Sequence, residues 1–221
     1  MEHCSSTSPE RALLDILDFT LLDHNATISD LDDFARKAAA AQPAAVCVYT
    51  EHIHHMKMRL SNSGILLAAV AGGFPVGDNS VETLSNAVRE AVSAGADEID
   101  FVLEPGHSEA FPGPHEESLL RAAREASQDC TLKVILETSL LSEAAMVSVA
   151  DLALQCGADF LKTSTGKRGG ASALSARLLV AAIRRYEERT GIKRGIKLSG
   201  GIRTAQDADD LLAGVRSGGQ Y

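Results

Sequence analysis

Along the chain, short apolar runs alternate with longer stretches whose apolar residues recur every three or four positions. The runs at residues 18–22, 44–50, 65–73, 98–104, 132–138, 159–165 and 195–202 have the length and composition of strands. The stretches between them predict amphipathic helices. Residues 29–42 open on a Ser cap and place Leu31, Phe34, Ala35 and Ala38 on one face. Residues 80–94 carry Val81, Leu84, Ala87, Val88 and Ala91 at helical spacing. The same pattern marks 116–127, 142–155, 172–190 and 204–215, with a short helical lead-in at 9–17. Gly95, Gly157 and Gly191 close three of these helices, because glycine readily takes the left-handed turn that ends one.

Strands alternating with helices through short linkers imply βαβ units, a parallel sheet and a single domain over residues 1–221. Two architectures compete: an open, doubly wound sheet and a closed (β/α)8 barrel. No Gly-x-Gly-x-x-Gly follows the first strand, which weakens a dinucleotide-binding sheet. Doubly wound strands are buried on both faces and read as nearly continuous apolar runs. A barrel can hold charge at its C-terminal mouth. The strands here contain charges, so the expected fold class is α/β, a TIM barrel.

Composition narrows the function. With 45% hydrophobic residues the chain is ordered, yet no apolar run reaches the ~20 residues of a membrane span. The first nine residues lack a basic-then-apolar leader, so a cytoplasmic protein is expected. A net charge of −9 without a basic stripe argues against nucleic acid. Cys4, Cys47, Cys130 and Cys156 form no Cys-x-x-Cys pair and read as free thiols rather than disulfides or zinc ligands.

Side chains alternate faces along a strand. Lys133 and Glu137 therefore oppose Leu132, Val134 and Leu136, Asp100 opposes Ile99 and Phe101, Lys162 goes with Ser164, and Lys197 goes with Ser199. With helices covering the apolar face, Lys133, Lys162, Lys197, Asp18, Asp100 and Glu137 converge inside the barrel. Two neighbouring lysines disfavour each other's protonation, and burial acts the same way. A lysine so depressed is a free amine that can attack a carbonyl and form a Schiff base. A carboxylate such as Asp100 could move the proton. That chemistry is class I aldol cleavage, and it calls for no cofactor and no metal.

The segments Asp18-Phe-Thr-Leu-Leu, Ala45-Val-Cys-Val-Tyr, Gly73-Phe-Pro-Val-Gly, Gly95-Ala-Asp-Glu-Ile-Asp, Lys133-Val-Ile-Leu-Glu-Thr, Gly157-Ala-Asp-Phe-Leu-Lys-Thr-Ser-Thr-Gly-Lys and Lys197-Leu-Ser-Gly-Gly-Ile-Arg-Thr occur in this order. Together, over residues 11–215, they resemble the deoxyribose-phosphate aldolase family. The resemblance implies reversible cleavage of 2-deoxy-D-ribose 5-phosphate to D-glyceraldehyde 3-phosphate and acetaldehyde. It implies Lys162 as the Schiff-base lysine, Lys197 as the lysine that lowers its pKa, and Asp100 as the proton relay. Asp18, Thr20, Cys47 and Lys133 would line or support the pocket. Gly166, Lys167, Gly200, Gly201 and Arg203 would receive the phosphate. Small sugar phosphates and aldehydes are the implied partners, and a homodimer is compatible with the family.

One departure stands out. Seven strands are legible, and nothing matches the eighth strand and final helix with which the family completes its barrel and phosphate site. An open edge between first and seventh strands is therefore expected, and two other functions stay open: a class I aldolase with relaxed acceptor choice, and a non-catalytic sugar-phosphate-binding barrel. Tyr221 reads as a loose terminus. His52 and His55 could share a helix face but lack the His-Glu-x-x-His spacing of a metal site. His107 and His115 read as loop residues.

Overall fold

The structure, a computed structural model, describes residues 9–106 and 111–217. Cys4, His107 and Tyr221 lie outside the described residues. Seven strands run parallel in sequence order: β1 (Asp18–Leu21), β2 (Ala45–Tyr49), β3 (Leu66–Ala71), β4 (Glu98–Val102), β5 (Thr131–Ile135), β6 (Phe160–Lys162) and β7 (Gly195–Lys197). Helices α1 (Pro9–Leu14), α2 (Ile28–Ala41), α3 (Thr50–Arg59), α4 (Val81–Ala94), α5 (Pro114–Ser127), α6 (Glu143–Gln155), α7 (Ala173–Thr190) and α8 (Ala205–Ser217) alternate with them. The sheet curls into most of a barrel. The expected fold class stands, with β1 and β7 as unpaired edges.

Local chemistry sets the helix ends. Ser80, Ser142 and Ser172 cap α4, α6 and α7. The expected Ser29 cap of α2 is corrected to Thr27. The Thr27 hydroxyl accepts from the Asp30 amide at 3.2 Å, and the Asp30 carboxylate accepts from the Thr27 amide at 2.8 Å. This reciprocal pair satisfies two helix-start amides, which Ser29 cannot do from inside the first turn. Helix α3 follows β2 without a linker, and His52 and His55 both lie on it; His55 Nε2 is 2.7 Å from Asp32 Oδ1. His115 lies in the exposed first turn of α5 rather than in a loop.

β6 and β7 are shorter than the apolar runs suggested. Past Lys162 the Thr163 amide still donates to the Lys197 carbonyl at 3.0 Å, and beyond that bond side chains join the two strands. Ser164 Oγ donates to the Ser199 carbonyl at 2.7 Å, and Ser199 Oγ donates to the Ser164 carbonyl at 2.5 Å. Hydroxyl-to-carbonyl bonds replace ladder bonds and release the backbone for turns.

The alternation divides the core in two. Val46, Val48, Ile99, Phe101, Leu132, Val134, Leu136 and Leu161 face the helices in one apolar cluster. A smaller interior cluster holds Cys47, Tyr49, Ala68, Val70, Phe74, Val102 and Ile135. Charge occupies the remaining interior positions. Between the edge strands lies a cavity of about 680 Å³, walled on one side by Leu13 and Phe34 and on the other by Ile202, Leu211 and Val215 of the β7–α8 unit. No described helix is long and apolar enough to cross a membrane.

Phe101, fully buried against the helices, is expected to lose about 3–5 kcal/mol of stability on replacement by Ala in urea unfolding. Val81→Ala, at a position 39% exposed, should change it by less than about 1 kcal/mol.

Candidate active site

The interior charges form one connected cluster. Lys133, 2% exposed, places Nζ 2.5 Å from Glu98 Oε2, 3.1 Å from Asp100 Oδ1 and 3.2 Å from Asp18 Oδ2. Asp100 Oδ2 accepts from Lys162 Nζ at 2.5 Å, and Lys197 Nζ lies 2.5 Å from Asp18 Oδ1. Three cations thus meet three carboxylates. Register explains the convergence: Asp100 pairs laterally with Lys133, and Lys162 with Lys197. Each carboxylate has a cation within hydrogen-bond reach, without which burial would cost several kcal/mol per charge.

Glu98 is the member that the sequence reading passed over. It shares its face with Asp100, two residues on, so alternation alone would have found it. Glu137, expected in this cluster, is buried elsewhere, at the mouth. Its Oε1 accepts from the Thr165 amide at 2.6 Å, and its backbone is left-handed with φ 48°. The strand has ended at Ile135, so the period-two rule no longer governs its direction.

The expectation of a depressed Lys162 is corrected. Burial is the largest single influence and pushes the amine down, but the charge and hydrogen bond of Asp100, with Cys47 adding to them, together hold Lys162 above the usual lysine value. Lys133 is the cation that pulls the other way. Lys197, though the lateral neighbour of Lys162, is engaged across the seam with Asp18 and with the Ile16 carbonyl at 3.1 Å. Burial likewise opposes Lys133, yet Asp100, Asp18 and Glu98 keep it well above its ordinary value. For Asp100, burial raises the pKa but Lys133 and Lys162 lower it further, to about 2. Without ligand, Lys162 is therefore held as an ammonium in an ion pair with Asp100.

Cys47 lies in the interior cluster and is fully buried. Burial, with the Asp100 charge beside it, pushes its thiol up to about 12, so it is a neutral packing group here. Cys130 and Cys156 are also free. Thr20 is exposed on β1, its hydroxyl turned to its own strand's Asp18 carbonyl at 3.3 Å.

At the mouth, Gly166, Gly200 and Gly201 adopt positive φ of 74°, 84° and 83°. A Cβ on Gly200 would lie 2.5 Å from the Gly169 oxygen and 2.6 Å from Ser164 Oγ, so two loops meet there backbone to backbone. Gly166, Gly200 and Gly201 line the same cavity as Lys162 and Lys197. Lys167 Nζ donates to the Leu22 carbonyl at 3.3 Å and so spans from the β6 loop to the β1 loop. Arg203 is exposed. Its amide and that of Thr204 donate to Asp207 at 3.0 and 2.8 Å, so the start of α8 is already capped from within. The structure thus gathers the catalytic candidates, Asp18 and the glycines, and leaves the Arg203 amide engaged elsewhere.

Comparison with known proteins gives a consistent result. Residues 13–218 match the family described as DeoC/LacD family aldolase. The deoxyribose-phosphate aldolase of Metamycoplasma hominis is 37% identical over 197 residues, covering 89% of this chain and 87% of the relative. That of Deinococcus radiodurans is 36% identical over 202 residues, covering 91% and 88%. The solved tetrameric deoxyribose phosphate aldolase from Aeropyrum pernix superposes with a TM-score of 0.79 at 27% identity, covering 94% of this chain and 85% of the other.

The lowered Asp100 pKa fixes a sign. Its stabilisation is present above about pH 4, the unfolded value, and is lost as pH falls toward 2. Roughly 2 kcal/mol should disappear across that window. The stability difference between the protein and Asp100→Asn, measured by urea unfolding, should narrow between pH 4 and pH 2; a constant difference contradicts the ion pair.

Proposed function

The chain belongs to the DeoC/LacD aldolase family, and on that premise we propose that it is a class I aldolase, a single catalytic unit over residues 1–221. It reversibly cleaves 2-deoxy-D-ribose 5-phosphate to D-glyceraldehyde 3-phosphate and acetaldehyde. The observation that carries this reading is Lys162 Nζ in a buried interior, 2.5 Å from the Asp100 carboxylate and open to the cavity. Free thiols at Cys47, Cys130 and Cys156 support a reducing, cytoplasmic setting.

In this reading Lys162 loses its proton as substrate enters and parts it from the Asp100 carboxylate. Its amine adds to the C1 aldehyde, water leaves, and an iminium forms. The C3 hydroxyl loses its proton, the C2–C3 bond breaks, and the electron pair enters the iminium to give an enamine. D-Glyceraldehyde 3-phosphate departs. Protonation at C2 and hydrolysis of the imine release acetaldehyde and restore the amine. Asp100 is the base closest to the reacting nitrogen. Lys133, Glu98 and Asp18 hold its position and keep the cluster neutral. Lys197 anchors the β1 edge beside Lys162. Thr20 lies at the cavity wall, Cys47 packs beneath, and Gly166, Lys167, Gly200 and Gly201 face the phosphate.

A second reading rests on the capped start of α8. With the Arg203 and Thr204 amides engaged by Asp207, fewer donors remain for phosphate. An aldolase with relaxed acceptor choice would then cleave 2-deoxyribose nearly as well as its 5-phosphate, and steady-state comparison of the two substrates separates the readings.

Borohydride with acetaldehyde should leave a reduced adduct on Lys162, located by peptide mass spectrometry. Lys162→Ala should abolish both adduct and turnover. Lys197→Leu should lower turnover by about 10² or more. A folded protein that gives no adduct refutes the aldolase. Gly200→Ala, forced into the Gly169 oxygen at positive φ, should raise KM for the phosphate ester more than it raises KM for 2-deoxyribose.

A further inference from the structure

The loop between β6 and α7 is tied to two other strand-end loops by one side chain that lies outside the charge cluster. Arg168 donates Nη1 to Glu104 Oε1 at 2.8 Å and Nη2 to Glu104 Oε2 at 2.7 Å. The same Nη2 donates to the Pro75 carbonyl at 3.2 Å. Glu104 follows β4 and Pro75 follows β3, so a single guanidinium joins the ends of three strands. The pair is largely shielded, with the Arg168 side chain 25% exposed and that of Glu104 13%. Two parallel N–H···O bonds fix the plane of the group as well as its distance, which a lysine ammonium cannot do.

The opposite side of this loop presses on the β7 end. A Cβ on Gly170 would lie 2.7 Å from the Gly200 oxygen, and one on Gly200 would lie 2.7 Å from Gly170 Cα. The Ala171 amide donates to the Ser199 carbonyl at 2.9 Å, so a shift of residues 169–171 is passed to Ser199 and Gly200. Arg168 therefore sits between Gly166 and the contact that positions Gly200. It does not line the cavity that these two glycines border.

We infer that the Glu104–Arg168 fork is a positioning pair for phosphate recognition, holding Gly166 and, through residues 169–170, Gly200 at the spacing that admits a phosphate monoester. The inference rests on the aldolase reading for its substrate. Arg168 makes no contact with phosphate in this scheme, because it does not line the cavity.

The test compares Arg168→Gln, Arg168→Lys, Glu104→Gln and the double variant Arg168→Gln/Glu104→Gln. The ratio of kcat/KM for 2-deoxyribose 5-phosphate to that for 2-deoxyribose should fall about tenfold or more in Arg168→Gln, chiefly through KM for the phosphate ester. Arg168→Lys should fail to restore the ratio, and the double variant should lose no more than the worse single one. An unchanged ratio, or full restoration by Lys, overturns the inference; the latter would mean that charge and not position matters. Amide hydrogen exchange reads the same fork without turnover. Inorganic phosphate should protect residues 163–171 in the unmodified protein and protect them less in Arg168→Gln; equal protection also overturns it. Absence of a borohydride adduct on Lys162 in the unmodified protein counts against the aldolase alone, and the exchange result still judges the fork.

Discussion

The contact between Asp100 and Lys162 is the constraint on which the remaining architecture depends. A carboxylate and an ammonium at 2.5 Å inside a protein are tolerable only if their other neighbours complete the balance. Lys133 does so on one side by meeting Asp100, Asp18 and Glu98 together. Asp18 then carries the interaction to Lys197 and to the far edge of the sheet. The interior is thus a chain of alternating charge from β6 through β4 and β5 to β1 and β7. It curls the sheet from within, where the seven-strand ladder leaves the edges unjoined.

Much of this was legible in the residues. The alternation in Leu132-Lys-Val-Ile-Leu separated helix-facing from interior positions correctly, as it did for Asp100 and Lys162. The rule works because the side-chain period of a strand is two whatever the surroundings. It stopped working at Glu137, where the backbone turns left-handed and the side chain is claimed by the Thr165 amide. The partner of Lys197 was not legible either. Lateral neighbours at 162 and 197 suggested mutual repulsion. A long side chain reaches past its neighbour to the nearest opposite charge, and that choice depends on how far the sheet curls.

The protonation state of Lys162 shows the same limit. Burial and a second cation, the two influences visible in the sequence, both favour the neutral amine. The ion pair decides otherwise: Asp100 acts on Lys162 through both its charge and a hydrogen bond, and outweighs Lys133. The resting site is thus a stored proton as much as a nucleophile. An incoming carbonyl that displaces Asp100 from the nitrogen changes the balance on both groups at once.

The two-faced strands have a bearing on how such a chain can change over generations. Inserting or deleting one residue within β5 would turn Lys133 outward beneath the helices and bring Val134 against Asp100. Folding and chemistry would fail in the same event, so the strand lengths are locked together. The loops that lead from each helix into the next strand carry no such parity, and variation is free to collect there, around an interior that cannot drift.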